Sequence, residues 1–118
     1  MNQEFNIHII REKKQINKLL THGNIFRTPH FIFHYLTDAD LAYDLSFLIS
    51  IPKKKIKLAV NRNYLKRLFK SFIYKEKKNL LTTLNTKIIF IAVYTNSSKI
   101  KYTKLADDIV TFLANFKQ

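Results

Sequence analysis

The spacing of hydrophobic residues changes along the chain and divides its first half into a helix and two strands. Residues 11–22 carry apolar side chains at helical intervals, which predicts a first helix. Residues 30–36 and 43–52 have the period of two that is typical of strands. Gly23, the only glycine, follows the first helix, so we expect it to end that helix with a left-handed backbone.

The second half predicts a helix, a strand and a helix. Residues 59–81 have helical periodicity, with apolar side chains on one face and basic side chains on the neighbouring one. Residues 86–95 form a continuous apolar run, which indicates a central strand covered on both faces. Residues 103–116 predict a last helix. This order favours an α+β fold, in which about three helices pack on a small mixed sheet.

Composition limits the class of protein. The chain has 118 residues, 47% of them hydrophobic, with two prolines and no cysteine, so we expect one domain over residues 1–118 and no disulfide scaffold. The longest apolar run, residues 88–94, is far shorter than the roughly 20 residues of a membrane-spanning helix. No secretory signal is recognisable at the amino terminus. We therefore predict a cytoplasmic protein without a membrane partner.

Positive charge is concentrated in one segment. The net charge is +13, and residues 53–78 hold eleven Lys and Arg residues against the single acid Glu76. Such a block attracts polyanions, whereas a merely solvated helix face usually carries both signs of charge. Nucleic-acid binding is therefore favoured, with a slight preference for RNA. A basic helix on anionic lipid is a weaker alternative, because the apolar face of this helix is needed for the core.

Enzymatic chemistry by the protein itself lacks the necessary parts. The chain has no thiol, no Gly-x-Ser-x-Gly motif and no glycine-rich phosphate loop. The acid pair at 38 and 40 is predicted to lie in a turn, and the pair at 107 and 108 on a solvated helix surface. His30, His34 and Asp38 have a regular spacing, but residues four apart on a strand are too distant for one metal site. We expect no catalytic residue and no metal site.

Residues 53–72, KKKIKLAVNRNYLKRLFKSF, resemble the signature of the bacterial ribonuclease P protein component. That signature has a lysine-rich lead-in, Ala-Val, an Arg-Asn-Arg motif, a hydrophobic residue and Lys-Arg-Leu. Ala59-Val60, Arg62-Asn63 and residues 65–68 match it. The predicted elements follow the family's order along nearly the whole chain.

The resemblance implies a fold, a function and a set of partners. The fold would be α+β with a left-handed βαβ crossover, shared with a domain of a ribosomal protein, where a right-handed crossover is the general default. The protein would act as a monomer with the catalytic RNA of ribonuclease P and with precursor tRNA. Mg²⁺ held mainly by RNA would hydrolyse the phosphodiester and remove the 5′ leader. The alternative is a small ribosome-associated RNA-binding protein with no role in cleavage.

Site residues follow from the same resemblance. The residues implied to bind the catalytic RNA are Lys53, Lys54, Lys55, Lys57, Arg62, Asn63, Lys66, Arg67 and Lys70. The 5′ leader would lie in a cleft between the first helix and the sheet, near Ile16, Leu20 and His34. Tyr64 stands where the family usually has the second arginine of its motif, so one phosphate contact is either lost or replaced by stacking.

Overall fold

A computed structural model describes residues 4–117, which form five strands and four helices. In chain order these are β1 (Ile7–Ile9), α1 (Lys13–His22), β2 (Asn24–Arg27), β3 (Phe31–Thr37), β4 (Leu45–Ser50), α2 (Ala59–Lys75), α3 (Lys77–Thr83), β5 (Ile88–Tyr94) and α4 (Tyr102–Leu113), followed by a 3₁₀ turn (Ala114–Phe116). The predicted α+β class is confirmed. Among the residues described, no helix is both long enough and apolar enough to cross a bilayer.

The strands form one mixed sheet in the order β1-β4-β5-β3-β2. β1, β4 and β5 run parallel, whereas β3 is antiparallel to β5 and β2 is antiparallel to β3. β5 is central, and all its residues except Val93 are buried. The sequence prediction of a central strand covered on both faces is therefore confirmed.

The two faces of the sheet are covered unequally. A large aromatic core packs between one face and the helices α2, α3 and α4, and in it the rings of Phe33 and Phe112 stack at 4.1 Å. A smaller core on the other face includes Leu19 of α1 and Ile91 of β5. Because α1 has ten residues, it spans only about 15 Å of that second face. Ile25 on β2 remains 54% exposed.

Three elements differ from the sequence prediction. β1 and β2 were not predicted, because three and four residues are too few to show a period. The single helix predicted over residues 59–81 is wrong, since α2 ends at Lys75 and α3 begins at Lys77. Glu76 between them leaves helical geometry, with φ −83° and ψ 1°, although no proline or glycine marks the break.

Gly23 ends α1, but not in the predicted left-handed conformation. Its φ is −69° and its ψ is 153°, which is extended backbone. Its N–H donates to the Leu19 carbonyl oxygen at 2.9 Å. A Cβ at this position would lie 2.4 Å from that oxygen and 3.3 Å from the Tyr35 nitrogen. Glycine is therefore required by the close approach of the backbone rather than by the sign of φ.

Candidate nucleic-acid interface

The lysine-rich loop before α2 is folded back on itself and anchored in the core. The backbone N–H groups of Lys55 and Ile56 both donate to the Pro52 carbonyl oxygen, at 3.0 and 3.2 Å. The side chain of Ile56 is buried in the main core. The four lysines of this loop are exposed: Lys53, Lys54, Lys55 and Lys57. The loop therefore presents its charges to solvent from a fixed backbone.

Arg62 joins this loop to the first turn of α2. Its Nη1 donates to the carbonyl oxygens of Ile56 and Lys57, each at 2.8 Å. These hydrogen bonds hold the loop against the helix, since both acceptors lie in the segment just before α2 begins. The sequence prediction gave Arg62 only an RNA-binding role. The structure adds a positioning role, which the sequence does not reveal because it depends on how the loop folds back.

The remaining predicted RNA-binding residues share the outer face of α2. At 100° per residue, Asn63, Lys66, Arg67 and Lys70 fall within a sector of about 100°. All four are exposed, whereas Leu65 and Phe69 on the opposite side are fully buried. The helix thus packs with one side and displays its cations with the other. We call the exposed residues Lys53, Lys54, Lys55, Lys57, Asn63, Lys66, Arg67 and Lys70, together with Arg62, the cationic surface.

The cationic surface has no neutralising carboxylate. Within residues 4–117 the contacts between basic and acidic side chains are those of His8 with Glu12 and of His30 with Asp108, and neither involves this surface. Lys66 and Lys70 are one turn apart, and like charges at that spacing oppose helix formation by roughly 0.2–0.5 kcal/mol. The first turn of α2 contains no acid, so the positive end of the helix dipole adds to the potential. This arrangement favours a polyanionic partner.

The cationic surface does not suit direct binding of Mg²⁺. This ion prefers oxygen ligands, usually one or two carboxylates together with phosphates and water. No carboxylate belongs to the surface, and the part of the chain that the structure describes has no group of three or more His, Cys, Asp or Glu side chains that could hold a metal ion. His30 of the predicted spacing faces Asp108 instead, with Nδ1 3.2 Å from Oδ2.

Asp108 is buried, contrary to the sequence prediction. The sequence prediction placed it on a solvated helix surface, but its side chain is 3% exposed. Its Oδ2 accepts hydrogen bonds from Thr28 Oγ1 and the His30 backbone N–H, both at 2.8 Å. The carboxylate therefore fastens the turn before β3 to α4. The prediction failed because these partners lie about 80 residues away in sequence.

The predicted leader cleft corresponds to the partly covered face of the sheet. Ile16 is half-buried and packs against the smaller core, so only part of its side chain is open to a ligand. Leu20 is 46% exposed at the end of α1. His34 lies on β3, where its register partners are Ile91 of β5 and Ile25 of β2. Ile25 and its strand were missed by the sequence analysis because β2 was not predicted.

His34 is held in its neutral form by its surroundings. Burial lowers the pKa of His34 below its ordinary value, and the positive charge of Arg27 lowers it further. Its Nδ1 is buried and has no hydrogen-bond partner within the described chain. The partly exposed imidazole ring, kept neutral, can stack on a base, although its buried Nδ1 is not accessible to that base.

Comparison with known proteins identifies a family over almost the entire chain. The family model described as Ribonuclease P matches residues 6–117. The ribonuclease P protein component of Pseudanabaena sp. (strain PCC 6903) is 29% identical over 109 residues, which cover 92% of this chain and 90% of that protein. This match extends well beyond the motif at residues 53–72.

Solved structures show the same fold at lower sequence identity. The RNase P protein of Staphylococcus aureus superposes with a TM-score of 0.74 at 15% identity, covering 94% of this chain and 98% of that one. The RNase P protein of Thermotoga maritima gives a TM-score of 0.73 at 12% identity, with coverage of 94% and 99%. The arrangement of strands and helices is therefore that of these proteins.

Proposed function

The chain belongs to the ribonuclease P protein family, and from that premise we propose that its cationic surface binds the catalytic RNA and that it assists Mg²⁺-dependent removal of the 5′ leader from precursor tRNA. As a member of the family it is the protein component of a ribonucleoprotein endonuclease of tRNA processing, and its partner is an RNA. The finer assignments rest on the geometry of the cationic surface.

One observation carries the proposal: the exposed cations on the loop and on α2 have no carboxylate partner within residues 4–117. Guanidinium and ammonium groups bind phosphate oxygens through charge-assisted hydrogen bonds. Because the loop is tied to α2 by Arg62, its lysines stay in register with the helix. A structured RNA would meet a preorganised surface and would lose less entropy on binding.

The side chains of the cationic surface indicate that the protein binds RNA and does not itself cleave the phosphodiester. They include no carboxylate, imidazole or thiol, the groups that most often act as a general base or hold a metal ion. In our proposal Mg²⁺ is held by RNA and substrate phosphates, where it supplies the activated water and stabilises the leaving oxygen. The protein offsets phosphate repulsion and raises the affinity for the precursor. We propose that it does so as a monomer in the cytoplasm.

The 5′ leader is proposed to cross the partly covered face of the sheet. Support comes from the exposed apolar side chains of Leu20 and Ile25, together with the neutral ring of His34. Aromatic and apolar side chains of this kind bind unpaired bases. The cationic surface on α2 and this cleft lie on opposite faces of the sheet, so one domain can contact the catalytic RNA and its substrate together.

Salt-dependent binding tests the role of the cationic surface. The catalytic RNA of the source organism is prepared by transcription in vitro. The affinity of the protein for this RNA is measured from low to moderate salt, for the parent and for a triple variant with Lys66→Ala, Arg67→Ala and Lys70→Ala. Each lost phosphate contact should reduce the slope of log K against log salt by about 0.7–0.9. We expect the triple variant to lose roughly two units of slope.

A matched control removes the same charge elsewhere. Lys13→Ala, Lys14→Ala and Lys18→Ala delete three exposed lysines from α1, which packs on the other face of the sheet. We expect these changes to leave most of the slope intact. Equal slopes for the two triple variants would show that RNA binding follows net charge alone, and the proposed surface would be wrong.

The cleft is tested with the assembled ribonucleoprotein. His34→Ala should weaken binding of precursor tRNA that carries a leader and leave binding of mature tRNA unchanged. His22→Ala, an exposed histidine at the end of α1, serves as control and should change neither. Equal weakening of both tRNAs by His34→Ala would remove His34 from the leader site.

A further inference from the structure

A groove extends the cationic surface onto a second loop. It lies between the lysine-rich loop before α2 and the loop between β5 and α4, and its volume is about 500 Å³. Three lysines line it from the first loop, and Ser97, Ser98 and Lys99 line it from the second. None of its lining residues is acidic. Ile56, Leu58 and Asn61 complete the lining. The ammonium and hydroxyl groups, with no carboxylate beside them, can bind phosphate oxygens.

The side-chain ammonium of Lys99 lies over an aromatic ring of α2. Its Nζ lies 5.0 Å from the centroid of the Tyr64 ring, within the range of a cation–π interaction. Tyr64 is 38% exposed, so the ring is open to solvent beside the cations of α2. Lys99 is itself exposed and has no carboxylate partner within residues 4–117.

The position of Lys99 is therefore more restricted than that of an ordinary surface lysine. A free ammonium on a four-carbon stem samples many rotamers, and binding a phosphate requires it to give up that freedom. The Tyr64 ring removes part of this freedom beforehand. Lys87 offers a contrast, because its Nζ donates to the Leu41 carbonyl oxygen at 3.1 Å and is partly satisfied within the chain.

We propose that Lys99, positioned by Tyr64, binds a phosphate of the same RNA that the cationic surface binds. The inference rests on the proposed function and adds to it a residue that the sequence motif does not contain. Tyr64 occupies the motif position where an arginine is usual, and in this protein the positive charge beside that position comes from Lys99 in the loop between β5 and α4. Tyr64 is a positioning residue in this arrangement.

The test measures affinity for the catalytic RNA across a range of salt concentrations. Lys99→Gln should reduce the slope of log K against log salt by about 0.7–0.9, because one phosphate contact is lost. Lys104→Gln removes the same charge from α4, beside Pro29 and His30, and should change the slope much less. Thermal unfolding of each variant checks that the fold is retained.

Two tyrosine variants separate positioning from simple packing. Tyr64→Phe keeps the ring and should match the parent. Tyr64→Leu removes the ring and should weaken RNA binding about two- to fivefold, the size of an exposed cation–π interaction. In a Lys99→Gln background, Tyr64→Leu should have no further effect, because there is no ammonium left to position.

The outcomes distinguish this inference from the proposed function. If the parent binds the RNA without a steep salt dependence, the proposed function itself fails. If the parent slope is steep but Lys99→Gln leaves it unchanged, or matches Lys104→Gln, the inference about Lys99 is overturned. Equal losses from Tyr64→Leu with and without Lys99 would overturn the positioning role of the ring.

Discussion

Arg62 and Arg67 lie five residues apart on α2 and have different environments. Arg62 is half-buried and donates to two carbonyl oxygens of the preceding loop. Arg67 is exposed, and no hydrogen bond of its side chain occurs within residues 4–117. The first therefore builds the cationic surface, and the second is free to bind a ligand.

Alanine substitutions at the two arginines should separate stability from RNA binding. Arg62→Ala should lower the free energy of unfolding by about 1–2 kcal/mol, because hydrogen bonds from a charged donor are lost. Arg67→Ala should leave it within about 0.5 kcal/mol of the parent while still weakening RNA binding. Urea denaturation and RNA titration measure the two effects. A parent-like stability for Arg62→Ala would show that its contacts with the loop contribute nothing.

The neutral state of His34 predicts a dependence of stability on pH. Its pKa in the folded protein is lowered, so below its ordinary value of about 6.5 the unfolded chain takes up the proton more readily. The stability that His34 contributes is present above that pH and is lost on acidification. His34→Gln should therefore show a shallower fall in unfolding free energy below pH 6.5. Parallel pH profiles for the two proteins would contradict this assignment.

Among the secondary-structure elements, α1 and β2 meet at a junction where the backbone is crowded around Gly23. Gly23→Ala would place a Cβ 2.4 Å from the Leu19 carbonyl oxygen. Because that oxygen belongs to the backbone, relief requires α1 to shift. We expect a loss of about 1–3 kcal/mol in unfolding free energy, as for other overpacked sites. Asn24→Ala, at the exposed next residue, should have little effect by the same denaturation assay.

The long helices and the long strands could be predicted from the sequence, whereas β1, β2 and the break between α2 and α3 could not. β3, β4 and the three long helices each contain enough periodic positions to define a face, and β5 is marked by its continuous apolar run. β1 pairs with β4, which lies far along the chain, and a local pattern cannot contain such a tertiary contact. β2 pairs with the neighbouring strand β3, but its four residues are too few to show a period. The break at Glu76 carries no proline or glycine signal.

At the scale of the whole molecule, the sheet separates two surfaces of different chemistry. One face packs against α2, which displays the cationic surface, and the other is the partly covered face beside α1, where the leader cleft is proposed. The cationic surface could be recognised from the sequence because its charges are contiguous over residues 53–70. Lys99 could not, because only the fold brings it to Tyr64. The same reason concealed the contact between Asp108 and His30.

Cleavage of precursor tRNA at limiting Mg²⁺ shows whether the protein assists the catalytic RNA through its cationic surface. The catalytic RNA is assayed alone, with the parent protein, and with the variant carrying Lys66→Ala, Arg67→Ala and Lys70→Ala. We expect the parent protein to accelerate cleavage greatly and the variant to accelerate it weakly. Raising the Mg²⁺ concentration should reduce the difference in cleavage rate between parent and variant. Cleavage that is the same with and without the parent protein, while the protein still binds structured RNA, would contradict the account and favour an RNA-binding protein with no role in processing.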